Sequence, residues 1–148
     1  MLIRNILSNL GSESFSEQDW NSTKHYFNHR CVYCDSEIDL LMEHAIPINK
    51  EKLGEHRIGN LVVSCKACNA NKADKDYREF LREKPETIHR IELYMDSRNY
   101  ASLEDNTQMK LILNMAHKEV AELADRYITI INELFPRDED TGSREAEP

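Results

Sequence analysis

The sequence predicts an α+β fold, mostly α, built around a small core that a bound metal ion stabilises. Three observations lead to this prediction. The four cysteines of the 148-residue chain form two close pairs. Two short apolar segments have the length and composition of β-strands, and longer segments carry apolar residues at helical spacing. A chain of this size suggests one compact domain, or a small domain with an appendage.

Local patterns set the expected order of the elements. Ser16-Glu17-Gln18-Asp19 resembles an N-capping box, with Asp in place of the usual Glu or Gln, so a helix should follow it. Pro85 and Pro136 each end a helical pattern, and Asn106 is a candidate cap for the last helix. The expected elements are a short strand or helical turn within residues 1–13, a helix to about residue 29, strands over 38–42 and 61–63, and helices over 69–84, 86–96 and 107–135.

These elements divide the chain into three parts. Residues 1–84 are expected to form the metal-stapled domain with its N-terminal helix, residues 85–136 a helical C-terminal extension, and residues 137–148 a disordered acidic tail. The long last helix carries an apolar stripe, which predicts packing against the domain or against another helix. The stripe consists of Ile112, Ala116, Val120, Leu123, Tyr127, Ile131 and Leu134.

Charge and targeting signals narrow the functional classes. The formal net charge of −8 taken alone argues against a nucleic-acid binder, because phosphate contacts need Lys and Arg. Residues 20–84, however, hold eleven basic and ten acidic side chains, a net of +1, so the acidity lies outside the cysteine-bearing segment. The N-terminus lacks the features of a signal peptide, and no apolar stretch approaches the ~20 residues that span a membrane. The chain is therefore expected to be soluble and cytoplasmic, with no membrane partner.

The cysteines predict a structural zinc site. Cys31 and Cys34 form one C-x2-C pair, and Cys65 and Cys68 form another thirty residues later. Each pair places two thiolates at the tip of a turn, and four thiolates complete the closed tetrahedron of structural zinc. The alternatives are four unrelated buried thiols or disulfides, and a cytoplasmic protein disfavours disulfides.

The residues between and after the cysteine pairs form a second pattern. Glu43-His44-Ala-Ile-Pro47 is followed by a polar loop, then Asn60-Leu61, the second cysteine pair, and Asn69-x2-Lys72. In residue type and order this resembles the HNH endonuclease family, over about residues 30–76. The third position of the family pattern is Asn69 rather than His, an HNN variant in a four-cysteine, zinc-binding subtype.

The resemblance implies a ββα-metal site in a treble-clef-like HNH core, with a divalent cation, Mg²⁺ or Mn²⁺, besides the zinc. By position, Glu43 and Asn69 would be ligands of that cation. His44 would be the general base that activates a water, and Asn60 would hold the loop and orient His44 through backbone hydrogen bonds. Asn71 is a nearby competitor for the ligand role of Asn69.

Simple chemistry agrees with these roles. A neutral imidazole can take a proton from water near neutral pH, and oxygen ligands suit a hard cation that stabilises charge on a phosphate. Neighbouring strand residues face opposite ways, so Glu43 and His44 can both serve one site only if the strand ends or twists there. Contacts to the nucleic-acid backbone are expected from Lys72, Arg57, Lys66 and Lys75.

Three functional hypotheses remain at this point. The first is a metal-dependent endonuclease that hydrolyses DNA phosphodiester bonds. The second is a non-catalytic zinc-binding module that binds nucleic acid or protein. The third, compatible with the first, is that the acidic C-terminal helices form a homodimer or dock a protein partner.

Overall fold

The computed structural model describes residues 1–10 and 15–136. The described part is mixed and mostly helical, as the sequence predicts. The expected tail over 137–148 and the last residues, 11–13, of the expected N-terminal element lie outside the described residues. The elements are α1 (Leu2–Ser8), α2 (Glu17–Tyr26), β1 (Leu40–His44), β2 (Leu61–Cys65), α3 (Lys66–Lys72), α4 (Tyr77–Phe80), α5 (Pro85–Ser97) and α6 (Thr107–Leu134).

The two strands form one antiparallel sheet. Leu40 pairs with Cys65 and His44 pairs with Leu61, so the end of β1 lies beside the start of β2. All five residues of β2 are buried, whereas Glu43 is the single buried residue of β1. The sheet therefore carries β2 inside the core and leaves most of β1 near the surface.

The main core packs the sheet against α2 and α5. Phe27 follows α2 and packs on Tyr94 of α5, with ring centroids 4.8 Å apart. The hydroxyl groups of Thr23 and Tyr94 share a hydrogen bond of 2.7 Å in the same interface. The first helix of the expected C-terminal extension thus contributes to the same core as the sheet.

A second, smaller core joins α1, the loop after β1 and the start of α6. Its fully buried members are Leu7, Leu53 and Leu113. The loop over residues 45–60, called the fold-back loop below, returns close to the end of β1. At the closest approach, a Cβ added at Gly54 would lie only 2.0 Å from the carbonyl oxygen of Ile46. This fold-back brings the loop to the end of β1.

Two capping predictions are confirmed. The Ser16 hydroxyl accepts a hydrogen bond from the Asp19 backbone N–H, and the Asp19 carboxylate accepts one from the Ser16 backbone N–H. Asp therefore closes the capping box of α2 in place of Glu or Gln. The side chain of Asn106 accepts from the Met109 backbone N–H at 2.9 Å and caps α6.

The predicted helix over 69–84 is wrong. The chain forms α3 and α4 instead, and the break lies at Ala73, whose φ of 48° is not helical. Asp76 then caps α4 by accepting a hydrogen bond from the backbone N–H of Arg78. The first strand also begins and ends two residues later than predicted, because its register with β2 starts at Leu40.

The C-terminal helix α6 is the longest element, with 28 residues. Neither α6 nor any other helix within residues 1–10 and 15–136 has the length and apolar character needed to cross a bilayer.

Candidate active site

Two turns bring the four cysteines together beside β2. Cys31 and Cys34 lie on the loop after α2, Cys65 ends β2 and Cys68 lies in the first turn of α3. All four sulfur atoms lie within 4.8 Å of one another, and the sulfurs of Cys34 and Cys65 are 3.7 Å apart. A tetrahedral zinc with Zn–S bonds of ~2.3 Å holds its sulfurs roughly 3.8 Å apart. The donor set and its spacing therefore fit a structural zinc ion.

The start of α3 favours a thiolate in this cluster. The Cys68 backbone N–H donates to the sulfur of Cys65 at 3.4 Å. This hydrogen bond lowers the pKa of Cys65 to about 7, while burial raises the pKa of Cys68. Zinc binds the thiolate form of cysteine, so the lowered pKa makes Cys65 the cysteine of the cluster that most readily becomes a zinc ligand.

The two candidate catalytic side chains at the end of β1 differ in burial. The Glu43 side chain is buried, 6% exposed, whereas His44 is only half-buried. One Glu43 oxygen accepts from the Lys72 ammonium at 2.7 Å, and the other accepts from the Tyr33 hydroxyl at 2.5 Å. Burial raises the pKa of Glu43, and the charge and hydrogen bond of Lys72 oppose that rise.

Lys72 is a buried part of this network and not a surface base. Its side chain is 0% exposed, and its ammonium also donates to the backbone carbonyl of His44 at 2.9 Å. The expected phosphate contact is not available to Lys72 in this position. The residue instead ties α3 to both Glu43 and His44.

His44 forms a pair with His56 from the fold-back loop. Nε2 of His44 and Nδ1 of His56 lie 3.0 Å apart, so one ring nitrogen of each is engaged. Burial lowers the pKa of His44 to about 3, assisted by the positive charges of His56, Arg4 and Lys72. Burial also lowers the pKa of His56. Both rings are therefore neutral near pH 7, and a pKa as low as that of His44 makes its imidazole a weaker base than one that titrates near the working pH.

Asn60 holds the chain next to both histidines. Its side chain is fully buried. It accepts from the Ile46 backbone N–H at 2.8 Å, and it donates to the carbonyls of Ile46 at 2.9 Å and Glu55 at 2.8 Å. Ile46 lies two residues after His44, and Glu55 directly precedes His56. Asn60 thus joins the end of β1 to the fold-back loop, in keeping with the backbone role expected of it.

An open cleft of about 350 Å³ lies between β1, α1 and the end of α3. Glu43, His44 and Asn69 all line it, together with Asp74 and Arg4. The structure thus brings the three predicted site residues Glu43, His44 and Asn69 to one cleft. Asn71 is exposed and does not line this cleft.

The remaining expected DNA contacts are exposed but scattered. Arg57, Lys66 and Lys75 are all exposed, and none lines the cleft of His44. Lys75 instead lines a cavity of about 620 Å³ beside Cys34 and Cys68. The described residues therefore place one basic side chain, Arg4 of α1, at the cleft itself.

Sequence reasoning missed Arg4 and Asp74 as residues of the cleft. They reach it through the tertiary contacts of α1 and of the turn after α3. His56 lies in the polar loop between the strands, so its nearness to the site could be read from the sequence, but its pairing with His44 could not.

Comparison with known proteins finds sequence similarity to the HNH endonuclease family. A sequence model of the HNH endonuclease family matches residues 31–75, the segment that carries the cysteines and the cleft residues of β1 and α3. The chain is 29% identical over 79 residues to the "SPbeta prophage-derived putative HNH endonuclease YoqL" of Bacillus subtilis (strain 168). That match covers 45% of this chain and 33% of the relative, so the chain spans about a third of the relative's length. No solved structure matches the chain significantly.

Proposed function

We propose that this protein is a metal-dependent endonuclease that hydrolyses DNA phosphodiester bonds, with His44 as the general base. The observation that carries the proposal is the His44–His56 pair at the edge of a cleft that Asn69 shares. A general base needs a neutral imidazole with a free nitrogen and a fixed ring. His56 engages Nε2 of His44, which leaves Nδ1 to accept the proton of an attacking water.

His56 acts in this proposal as a positioning residue. When Nε2 of His44 carries the hydrogen, it donates to Nδ1 of His56, and the bare nitrogen of His44 is then Nδ1. A partner on the second nitrogen is the usual way in which a protein fixes the tautomer of a working histidine. Asn60 supports the arrangement because it holds the backbone beside both rings.

The cleft offers oxygen donors for Mg²⁺ or Mn²⁺. When bound, such a cation would stabilise charge on the phosphate and on the leaving 3′ oxygen. Asn69 and Glu43 are the ligands that the family resemblance implies. Each Glu43 oxygen already accepts one hydrogen bond, from Lys72 or from Tyr33, so a cation would take the second lone pair of one of them. Asp74 is a carboxylate on the same cleft that is exposed.

Titration with Mn²⁺, followed by calorimetry, shows whether Glu43 or Asp74 is the carboxylate ligand. If Glu43 is a ligand, Glu43→Gln weakens Mn²⁺ binding by tenfold or more and Asp74→Asn does not. If Asp74 takes that place, the pattern is reversed. Asn69→Ala should weaken binding in either case, and unchanged binding in Asn69→Ala would remove Asn69 from the site.

The cysteine cluster supports the site through Glu43. Tyr33 lies inside the first cysteine pair, and Lys72 ends the helix that carries Cys68. Both residues bind Glu43, and Lys72 also binds the His44 carbonyl. The zinc is therefore a scaffold in this proposal, and the chemistry belongs to the cleft.

Plasmid nicking tests the proposed function. The full chain is incubated with supercoiled DNA and Mg²⁺, Mn²⁺, Ni²⁺ or Zn²⁺, and His44→Ala is compared with His89→Ala. His89 is exposed on α5 and serves as the matched control. We expect nicking with at least one divalent ion, loss in His44→Ala and retention in His89→Ala. DNA binding that is indifferent to His44, without nicking under any ion, would indicate the non-catalytic zinc-binding module instead.

A further inference from the structure

The C-terminal part of α6 is a helix without a covering surface among the described residues. Every residue from 117 to 136 is exposed. Eight large apolar side chains of this segment are between 40% and 70% exposed, namely Val120, Leu123, Tyr127, Ile128, Ile130, Ile131, Leu134 and Phe135. Exposed apolar patches of this extent mark interaction sites, and most of the stability of a protein helix comes from packing of its apolar face.

The apolar residues of α6 follow a coiled-coil repeat. Counting from residue 109, they recur at alternating steps of four and three residues, which is the spacing of a coiled-coil seam. The seam positions are Met109, Leu113, Ala116, Val120, Leu123, Tyr127, Ile130 and Leu134. The buried Leu113 belongs to the core with α1, so the same stripe starts inside the domain and continues into the exposed segment.

We propose that a second copy of this chain packs antiparallel along α6 and forms a homodimer. Side-chain size supports this arrangement. With the pair centred between residues 121 and 122, Ala116 lies opposite the partner's Tyr127, and Val120 lies opposite the partner's Leu123. The small Ala116 then faces the large Tyr127 at both ends of the exposed part of the seam. A parallel pair in register would instead stack Tyr127 on the partner's Tyr127 and leave Ala116 facing the partner's Ala116.

Charge supports the same orientation. Glu119 and Arg126 directly precede the seam positions Val120 and Tyr127, and residues at such flanking positions set the orientation of coiled coils. In the antiparallel pair, Glu119 faces the partner's Arg126, and the symmetry of the dimer repeats this contact at the other end of the seam. In a parallel pair, Glu119 would face Ala124 and Arg126 would face Ile131 of the other chain. Only the antiparallel pair gives these two charges partners.

Part of the seam is already covered within the chain. Leu113 is buried against α1 and Met109 packs beside it, so the seam open to a second copy begins at Ala116. The open layers that pair in this register run from residue 116 to residue 127, about 17 Å at 1.5 Å per residue. The two nuclease domains lie at opposite ends of this seam, away from each other.

The test is the mass and the dimer dissociation constant of the zinc-loaded full chain, measured by analytical ultracentrifugation. The variants are Glu119→Arg, Arg126→Glu and the double variant that carries both changes. Each single variant turns two attractive contacts into two repulsive ones, and we expect the dissociation constant to rise roughly tenfold or more. The double variant restores both contacts with the charges exchanged, and its dissociation constant should return to within about threefold of the wild type.

The matched control is Asp125→Arg. It changes the charge by the same amount as Glu119→Arg, but position 125 lies on the side of α6 opposite to the seam, so its dissociation constant should stay within about threefold of the wild type. Zinc content and helical circular dichroism check that each variant is folded. A wild-type protein that stays monomeric at about 100 µM, so that any dissociation constant lies well above that concentration, would overturn the proposal. A dimer whose double variant is no better than the single variants would also overturn it, because the antiparallel contact would be absent.

Discussion

The buried pair of Lys72 and Glu43 gives the sharpest stability prediction. Lys72→Met keeps the length of the side chain but removes the ammonium that holds one Glu43 oxygen and the His44 carbonyl. Glu43 is then a buried carboxylate whose main compensating charge is missing. Breaking a buried ion pair on one side typically costs about 3–5 kcal/mol, which is a large part of the ~5–15 kcal/mol that stabilises a domain.

The second change, Glu43→Gln, tests the cause of that loss. In the double variant Lys72→Met with Glu43→Gln, no charge is buried, and the amide can still bond to the Tyr33 hydroxyl. We expect the double variant to recover about half of the lost free energy of unfolding. The part that stays lost is the hydrogen bond to the His44 carbonyl, worth about 1 kcal/mol, and imperfect packing of the amide.

Urea unfolding of the zinc-loaded protein, followed by circular dichroism, measures these free energies. Lys75→Met is the matched control, because Lys75 is exposed and only three residues away. Its free energy of unfolding should change by less than about 0.5 kcal/mol. A loss of less than about 1 kcal/mol in Lys72→Met would refute the reasoning, and so would a double variant as unstable as the single one.

Three further predictions concern the site. His56→Ala should slow DNA cleavage by about tenfold to a hundredfold without a change in the melting temperature. His56→Asn should retain most of the cleavage rate, because its amide oxygen can accept a hydrogen bond from Nε2 of His44. Equal cleavage rates in the two variants would show that His56 does not position His44. Cys68→Ser should lose zinc and unfold, whereas His44→Ala should keep both zinc and fold, as zinc analysis and circular dichroism will show. Asn60→Ala removes three buried hydrogen bonds and should cost about 2–4 kcal/mol in urea unfolding; a neutral result would mean that the loop does not depend on Asn60.

Features that depend on residues only a few positions apart could be predicted from the sequence. The two cysteine pairs, the capping box at Ser16 and the cap at Asn106 are set by residues a few positions apart. Asn60 could be placed because the motif gives it a backbone role that any surrounding structure can satisfy. The long stripe of α6 was visible for the same reason, since helical periodicity is a local property.

The rest depends on contacts between distant residues. His56 reaches His44 because the loop folds back at Gly54, and no local pattern encodes that approach. The break at Ala73 depends on a single backbone conformation inside a segment whose residues all tolerate a helix. Lysine is rarely buried, so the sequence predicts Lys72 at the surface. Its burial depends on Glu43, which lies on a neighbouring element and also binds Tyr33.

The most direct test of the central claim is the single-turnover rate of DNA cleavage by His44→Ala and His89→Ala at equal zinc content. A general base contributes about a hundredfold to ten-thousandfold to such a rate. We expect a loss of that size in His44→Ala alone. The nicked ends should be resealed by a DNA ligase, because cleavage of the bond between phosphorus and the 3′ oxygen leaves a 3′ hydroxyl and a 5′ phosphate. Equal cleavage rates in the two variants would contradict the assignment of His44, and with it the proposed mechanism.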